Sequence, residues 1–329
     1  MSRADQIWIA KQSDLRSAAT TAAYSPPVNS VSKEFDRETL NDAETLGTRA
    51  PGPIEYGGRI YKPQIEASLR PASVGLIFSS FFGPPTSTQP DASGAPTVYQ
   101  HVWDLAQLQN PTPITLWTKN ADTSPVIRDQ YVGGLGNELE LSVEANAFWK
   151  YTAGYFFRDL VADPTEPTQA KDTSKKFPFT HVTVEFGPAG GSYSSLPASN
   201  FTLTYNNNLS DDDFILGSEL VDSIALGDIE PELKFTARSD IPGHYRRALA
   251  DEPQSMQLRI TATGPTIEST YAYSLQIELH SLQTVEAPVS IDGSETLKDI
   301  EVTAHPALDE TTGRFITITL TNTEDGTEY

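Results

Sequence analysis

The sequence predicts a mainly β protein made of two tandem sandwich or barrel units, each with one flanking helix and one long loop. Three observations carry that prediction. The stretch Glu138-Leu139-Glu140-Leu141-Ser142-Val143-Glu144-Ala145 alternates polar and apolar residues without a break, and a shorter version returns as Leu275-Gln276-Ile277-Glu278-Leu279. Successive side chains of a strand point to opposite faces, so each stretch offers one apolar and one polar face. The 24 prolines and 21 glycines among 329 residues call for many turns rather than long helices. The order of elements around the first alternating strand also recurs around the second.

Ten segments read as strands: 64–69, 97–104, 114–118, 138–145, 181–186, 201–205, 257–262, 275–279, 300–304 and 315–321. Most are short, rich in β-branched or aromatic residues, and bounded by Gly, Pro, Asn or Asp. Two helices interrupt them. The first is predicted over 71–82, with Pro71 at its first position and a stop at Gly83-Pro84-Pro85. The second, weaker, covers 242–250. Gly133-Gly134-Leu135-Gly136 reads as a turn ahead of the alternating strand, without the GK[ST] of a phosphate loop.

These elements align as two copies. Gln64-Ile65-Glu66-Ala67-Ser68-Leu69-Arg70 precedes the first helix, and Glu232-Leu233-Lys234-Phe235-Thr236-Ala237-Arg238 the second. A strand follows each helix, and an alternating strand follows that, opening at Leu139 in one copy and Leu275 in the other. The expected units are 1–178, which carries an extra strand at 114–117, and 179–329. The Pro-, Thr- and Lys-rich stretch 162–178 is the expected linker, with Gly190-Gly191-Ser192 as an alternative boundary. An irregular segment precedes each pre-helix strand, at 25–58 and at 206–228. Irregular loops of that length are uncommon inside compact domains and usually functional, so their recurrence favours a role.

Composition excludes several classes. No apolar run approaches the ~18 residues that span a bilayer, and the N-terminus lacks the order of a signal peptide, so a soluble protein made in a cytoplasm is expected. Cysteine is absent, which removes disulfides and thiolate metal sites. A net charge of −21 opposes tight, sequence-independent DNA binding, which needs cations to neutralise phosphates, but allows DNA as a passing neighbour. His101, His181, His244, His280 and His305 are scattered without metal-ligand spacing. Asp211-Asp212-Asp213 lacks the alternating spacing of a calcium loop. No catalytic set and no cofactor or metal site assembles, so the chain is not expected to be an enzyme.

Leu69-Arg70-Pro71-Ala72-Ser73-Val74-Gly75-Leu76-Ile77-Phe78, then Gly83, then Tyr99-Gln100-His101-Val102-Trp103 and the 133–145 strand together resemble the siphophage tail tube proteins. Those share an Arg-Pro-x-x-x-Gly-Leu-Leu-like helix start, a Tyr-x-His strand, and a glycine before an alternating strand. The likeness covers roughly 60–160; the second copy matches in element order alone, and its Arg238-Ser239-Asp240-Ile241-Pro242 departs from Arg70-Pro71.

The resemblance implies a virion tail component, assembled in a host cytoplasm, whose sandwich joins its neighbours in rings while a long loop reaches the adjacent ring. Its partners would be further copies of itself, tail tip or baseplate, tape measure and tail terminator proteins, with viral DNA as cargo. On that reading Glu138, Glu140, Ser142, Glu144, Gln276 and Glu278 face the lumen. Glu34, Asp36, Glu38, Asp42, Asp211, Asp212 and Asp213 lie on the inter-ring loops. Two units per chain suggest a trimeric ring with pseudo-sixfold symmetry; a hexamer whose second unit decorates the outside is the rival. A carbohydrate-binding or adhesive β-sandwich is the alternative function, if Trp103, Trp117, Trp149 and Tyr155 are exposed rather than core.

Overall fold

The computed structural model describes residues 5–41, 54–106, 110–238, 243–251, 255–288 and 299–329. Strands β1 (Gln6–Lys11), β2 (Val28–Ser32), β3 (Phe35–Asn41), β4 (Ile54–Tyr61) and β5 (Gln64–Ser68) lead to helix α1 (Val74–Phe82). Then come β6 (Thr86–Thr88), β7 (Tyr99–Asp104), β8 (Ile114–Asn120), β9 (Ile127–Glu144) and β10 (Lys150–Ala162). After a short 3-10 turn at Phe179–His181 follow β11 (Val182–Pro188), β12 (Ser194–Ser195), β13 (Ala198–Asn206) and β14 (Glu230–Arg238). Helix α2 (His244–Ala248), β15 (Met256–Glu268), β16 (Tyr271–Glu286), β17 (Asp299–Pro306) and β18 (Ile316–Asn322) complete the described elements.

All 18 strands are linked by antiparallel ladders. One run is β2-β5-β10-β9-β13-β14-β17, and the last residues of β16, from Leu282, add an eighth strand beside β17. A second run is β6-β7-β18-β16-β15-β11-β12. Each crosses from residues before 178 to residues after it: β9 pairs with β13, and β7 with β18. Inward side chains of both runs, such as Leu139, Phe201, Leu233 and Val302 against Ile277, Ile318 and Trp103, belong to one hydrophobic core. The expected linker is packed as well. Phe177 is buried, Asp172 N–H donates to Ser25 O at 2.8 Å, and Trp8 Nε1 donates to Gln169 O at 3.0 Å.

Helix α1 is buried on every side, because its apolar residues have core around them rather than on one face. It begins at Val74, three residues later than expected. Pro71, Ala72 and Ser73 form a turn, and the Ser73 hydroxyl donates to Asp172 instead of capping the helix. Three further expectations change. The segment 25–58 is not irregular throughout: β3 and β4 pair as a hairpin, and β2 joins β5. Gly133-Gly134-Leu135-Gly136 is part of β9, where Phe157 and Phe81 cover the bare glycines. Strands β1 and β10 are not among the expected strands, although β10 is the partner of the alternating strand along most of its length. The segment 207–229 is irregular, as expected.

Candidate functional site

The outward face of the first run is polar in continuous rows. Alternation in β9 turns Leu139, Leu141 and Val143 inward and leaves Glu138, Glu140, Ser142 and Glu144 outward. Register extends each position across the sheet. One row reads Glu66, Thr152, Glu140, Thr204, Glu232; the next reads Gln64, Gly154, Glu138, Asn206, Glu230. A third reads Ser68, Lys150, Ser142, Thr202, Lys234, Thr303, and a fourth Glu144, Asn200, Thr236, Glu301.

This layout tolerates its charge. Within the first row a threonine separates each pair of glutamates, so like charges lie about 9–10 Å apart, beyond a physiological Debye length. Lys150 lies 3.6 Å from Glu66, and Lys234 pairs with Glu232. The face is therefore hydrated, net negative, and studded with short hydroxyl and amide groups.

Gln276 and Glu278 do not join it. Their half of β16 lies between β15 and β18 in the second run. There Arg259 Nε donates to Glu278 at 2.8 Å, approaches Glu185 at 3.4 Å, and stacks 4.0 Å from the Tyr193 ring centre. The structure thus keeps Glu138, Glu140, Ser142 and Glu144 together and places Gln276 and Glu278 elsewhere. Glu66, Glu230, Glu232 and Glu301 take part in the face unforeseen. Their strands are legible in the sequence, since Leu233 and Phe235, or Ile300 and Val302, alternate with polar neighbours, but local alternation does not say which strands share a face.

The two long segments expected as arms meet at one end of this sheet. Lys62 Nζ bridges Asp36 of the first to Asp211 of the second, the latter at 2.7 Å. Partial burial opposes the Lys62 charge, yet these two carboxylates raise its pKa. Arg37 and Arg59 lie 3.2 and 3.8 Å from Glu219, and Arg59 N–H donates to Glu219 O at 2.9 Å. The Phe214 ring fills the space a side chain at Gly58 would occupy. Asp36, Glu38, Asp211 and Asp212 line a cleft of about 370 Å³ between the two segments. Glu34 contributes its carbonyl to Lys62 N–H at 2.8 Å; Asp213 accepts from the Ser223 hydroxyl. Asp42 lies outside the described residues.

A polar sheet face bounded by strand edges, with paired arms at one end, is a scaffold for joining copies. The model of the phage tail tube protein family matches residues 3–311. The chain belongs to that family. Comparison with curated proteins gave no significant match. The tail tube family is a structural one, so this member is a component of the viral tail that assembles into a tube and associates with other tail parts. In keeping with that role, Trp103, Trp117, Trp149 and Tyr155 are all buried, leaving none as a sugar-stacking platform. Among the described residues no group of His, Cys, Asp and Glu is placed to hold a metal, and no helix is long and apolar enough to cross a membrane.

Proposed function

We propose that copies of this chain join edge to edge into rings, that rings stack into a hollow tube, and that viral DNA passes along the polar face during ejection. The observation that carries the reading is the continuity of that face across both units. Four strands come from residues before 178 (β2, β5, β10, β9) and four from after it (β13, β14, β17 and the end of β16).

Closure follows from the edges. An even number of antiparallel strands leaves β2 and the end of β16 running in opposite directions. One copy's β2 can therefore continue the next copy's sheet at the β16 end, a head-to-tail contact that closes when rotation allows. Three eight-strand walls at a strand spacing of about 4.8 Å give a backbone circle roughly 37 Å across before tilt widens it; two give about 24 Å, too narrow for a duplex once side chains line it. Both units sharing one wall favours a trimer with pseudo-sixfold symmetry over a hexamer with an external second unit. On this reading the lumen is lined by Glu66, Glu138, Glu140, Ser142, Glu144, Glu230, Glu232 and Glu301, with Gln276 and Glu278 outside.

Glutamates repel phosphate and keep it from adhering, whereas a lysine-rich wall would release counterions and hold the duplex. The paired arms at one end of the strands serve inter-ring contact, and the tube's ends remain for tail tip and terminator proteins. Before ejection the lumen holds the tape measure protein. Assembly takes place in the host cytoplasm. Electron microscopy of tubes formed by purified protein tests the ring. Three chains per cross-section with Glu140 toward the axis is the expected result; six chains, or Glu140 on the outer wall, sinks it.

A further inference from the structure

The two ends of β13 differ in a way that tube formation alone does not require. At its Asn206 end the chain enters the 207–229 loop, whose tip is Ile215-Leu216 before a turn at Gly217 (φ +90°). Leu216 is 105% exposed, the most exposed large apolar side chain among the described residues, and Ile215 is 52% exposed. The loop presenting them is anchored. Val221, Ile224 and Leu209 are buried with Ile60, Phe214 covers Gly58, and Ser218 N–H donates to Ile215 O at 3.2 Å. Leu216 and Ile215 thus set two adjacent apolar side chains in water at the tip of an anchored loop.

At the Ala198 end, about 27 Å away along the strand, lies a concavity of about 80 Å³ lined by Val143, Val182, Val184 and Phe179 together with the polar Glu144, Ser199 and Asn200. Phe179 is 37% exposed, and Phe148, in the turn between β9 and β10, is 47% exposed. Charge is complementary between the ends. Asp212 and Asp213 beside the tip hydrogen-bond the Ser210 and Ser223 hydroxyls, which leave their negative charge in place. At the other end stand Lys176, 4.9 Å from the Phe148 ring centre, its neighbour Lys175, and Lys150, which lies 3.6 Å from Glu66; the acids there are Glu144, which lines the concavity, and Glu301 in the same row.

We propose that the Ile215-Leu216 tip of one copy seats in the concavity at the Ala198 end of β13 of a second copy in the adjacent ring. The contact rests on the ring reading above and makes stacking head to tail, because tip and socket occupy opposite ends of one strand. Burying Leu216 removes apolar surface from water, and the aspartates approach the lysines.

The native chain contains no cysteine, so site-specific linking is direct. Leu216→Cys and Phe179→Cys variants are mixed, assembled into tubes, and treated with a short bifunctional maleimide. A dimer band from the mixture, absent when either variant is used alone, is expected; tubes that give no dimer band overturn the contact. Leu216→Asp provides an independent arm, since an exposed residue can change without loss of fold. Tubes at least tenfold shorter than wild type, or isolated rings, support the contact, and tubes of wild-type length overturn it alone. Wild-type protein that forms no tubes overturns the ring reading itself, and this contact with it.

Discussion

The ring of Tyr329 occupies the space that a side chain at Gly75 would fill. Tyr329 lies under the start of α1, donates its hydroxyl to Ala72 O at 2.8 Å and accepts from Asn322 Nδ2 at 2.8 Å. Asn322 Nδ2 also donates to Pro71 O at 2.8 Å, and its Oδ1 lies 3.0 Å from His101 Nε2. A residue far along the chain thereby pins the helix start to β18 and β7. Helix propensity alone makes alanine better than glycine by about 1 kcal/mol. Overpacking against a buried ring reverses the sign, so Gly75→Ala is expected to destabilise by about 1–3 kcal/mol. Chemical denaturation of the protomer reads this, and an unchanged or raised midpoint refutes it.

Exchanging Glu138, Glu140 and Glu144 for lysine leaves the fold in place, because all three sit on the outward side of β9. Tubes still form, but they retain DNA at low salt and release it steeply as salt rises, with roughly one counterion released per phosphate contacted. DNA co-sedimentation at two ionic strengths checks this. Equal, negligible retention by both proteins would remove the electrostatic account of the lumen.

The β3–β4 hairpin carries Phe35, Leu40, Ile54 and Tyr56 exposed, an apolar surface unusual for a lone protomer. Replacing residues 38–57 with an Asn-Gly turn shortens the arm and leaves β2 on its β5 ladder. Folded protomers that no longer build tubes are the expected product, seen by circular dichroism and negative-stain microscopy. Tubes of normal length would show that the hairpin is dispensable for stacking.

His244 is buried between the Phe186 and Phe235 rings, at 5.0 and 5.6 Å. Burial, aided by the Arg247 charge, lowers its pKa to about 4. Below the ordinary value near 6.5 the unfolded chain binds a proton that the folded chain refuses. Stability is therefore full above about pH 6.5 and declines as pH falls toward 4, by up to about 3 kcal/mol from this residue. His244→Phe keeps a ring in place and removes the titration. Its melting temperature is expected to drop less than the wild type's between pH 7 and 4.5, and parallel declines would dismiss the assignment.

Sequence by itself determined what local chemistry can write. The unbroken alternation of Glu138 to Glu144 specified a one-sided strand, and the apolar run ending at Gly83-Pro84-Pro85 specified a helix, though its start moved from Pro71 to Val74. The Arg70-to-Trp103 motifs pointed to the family. Charge and the absence of cysteine narrowed the function. Tertiary structure alone decided which strands share a face. Period-two alternation states that a residue points outward but not on which sheet, so Gln276 and Glu278 read like Glu138 and Glu140 yet fall between β15 and β18. Ladder pairing between residues far apart, such as Thr204 with Glu140 and with Glu232, built the polar face from strands whose mutual order no single segment states. Likewise, the two arms lie far apart in the chain, and only long-range contacts such as the Lys62 bridge between Asp36 and Asp211, the Arg37 and Arg59 pairs with Glu219, and Phe214 over Gly58 make them one structure. Register and long-range ion pairing depend on which surfaces meet once the core is buried, and no local pattern encodes that.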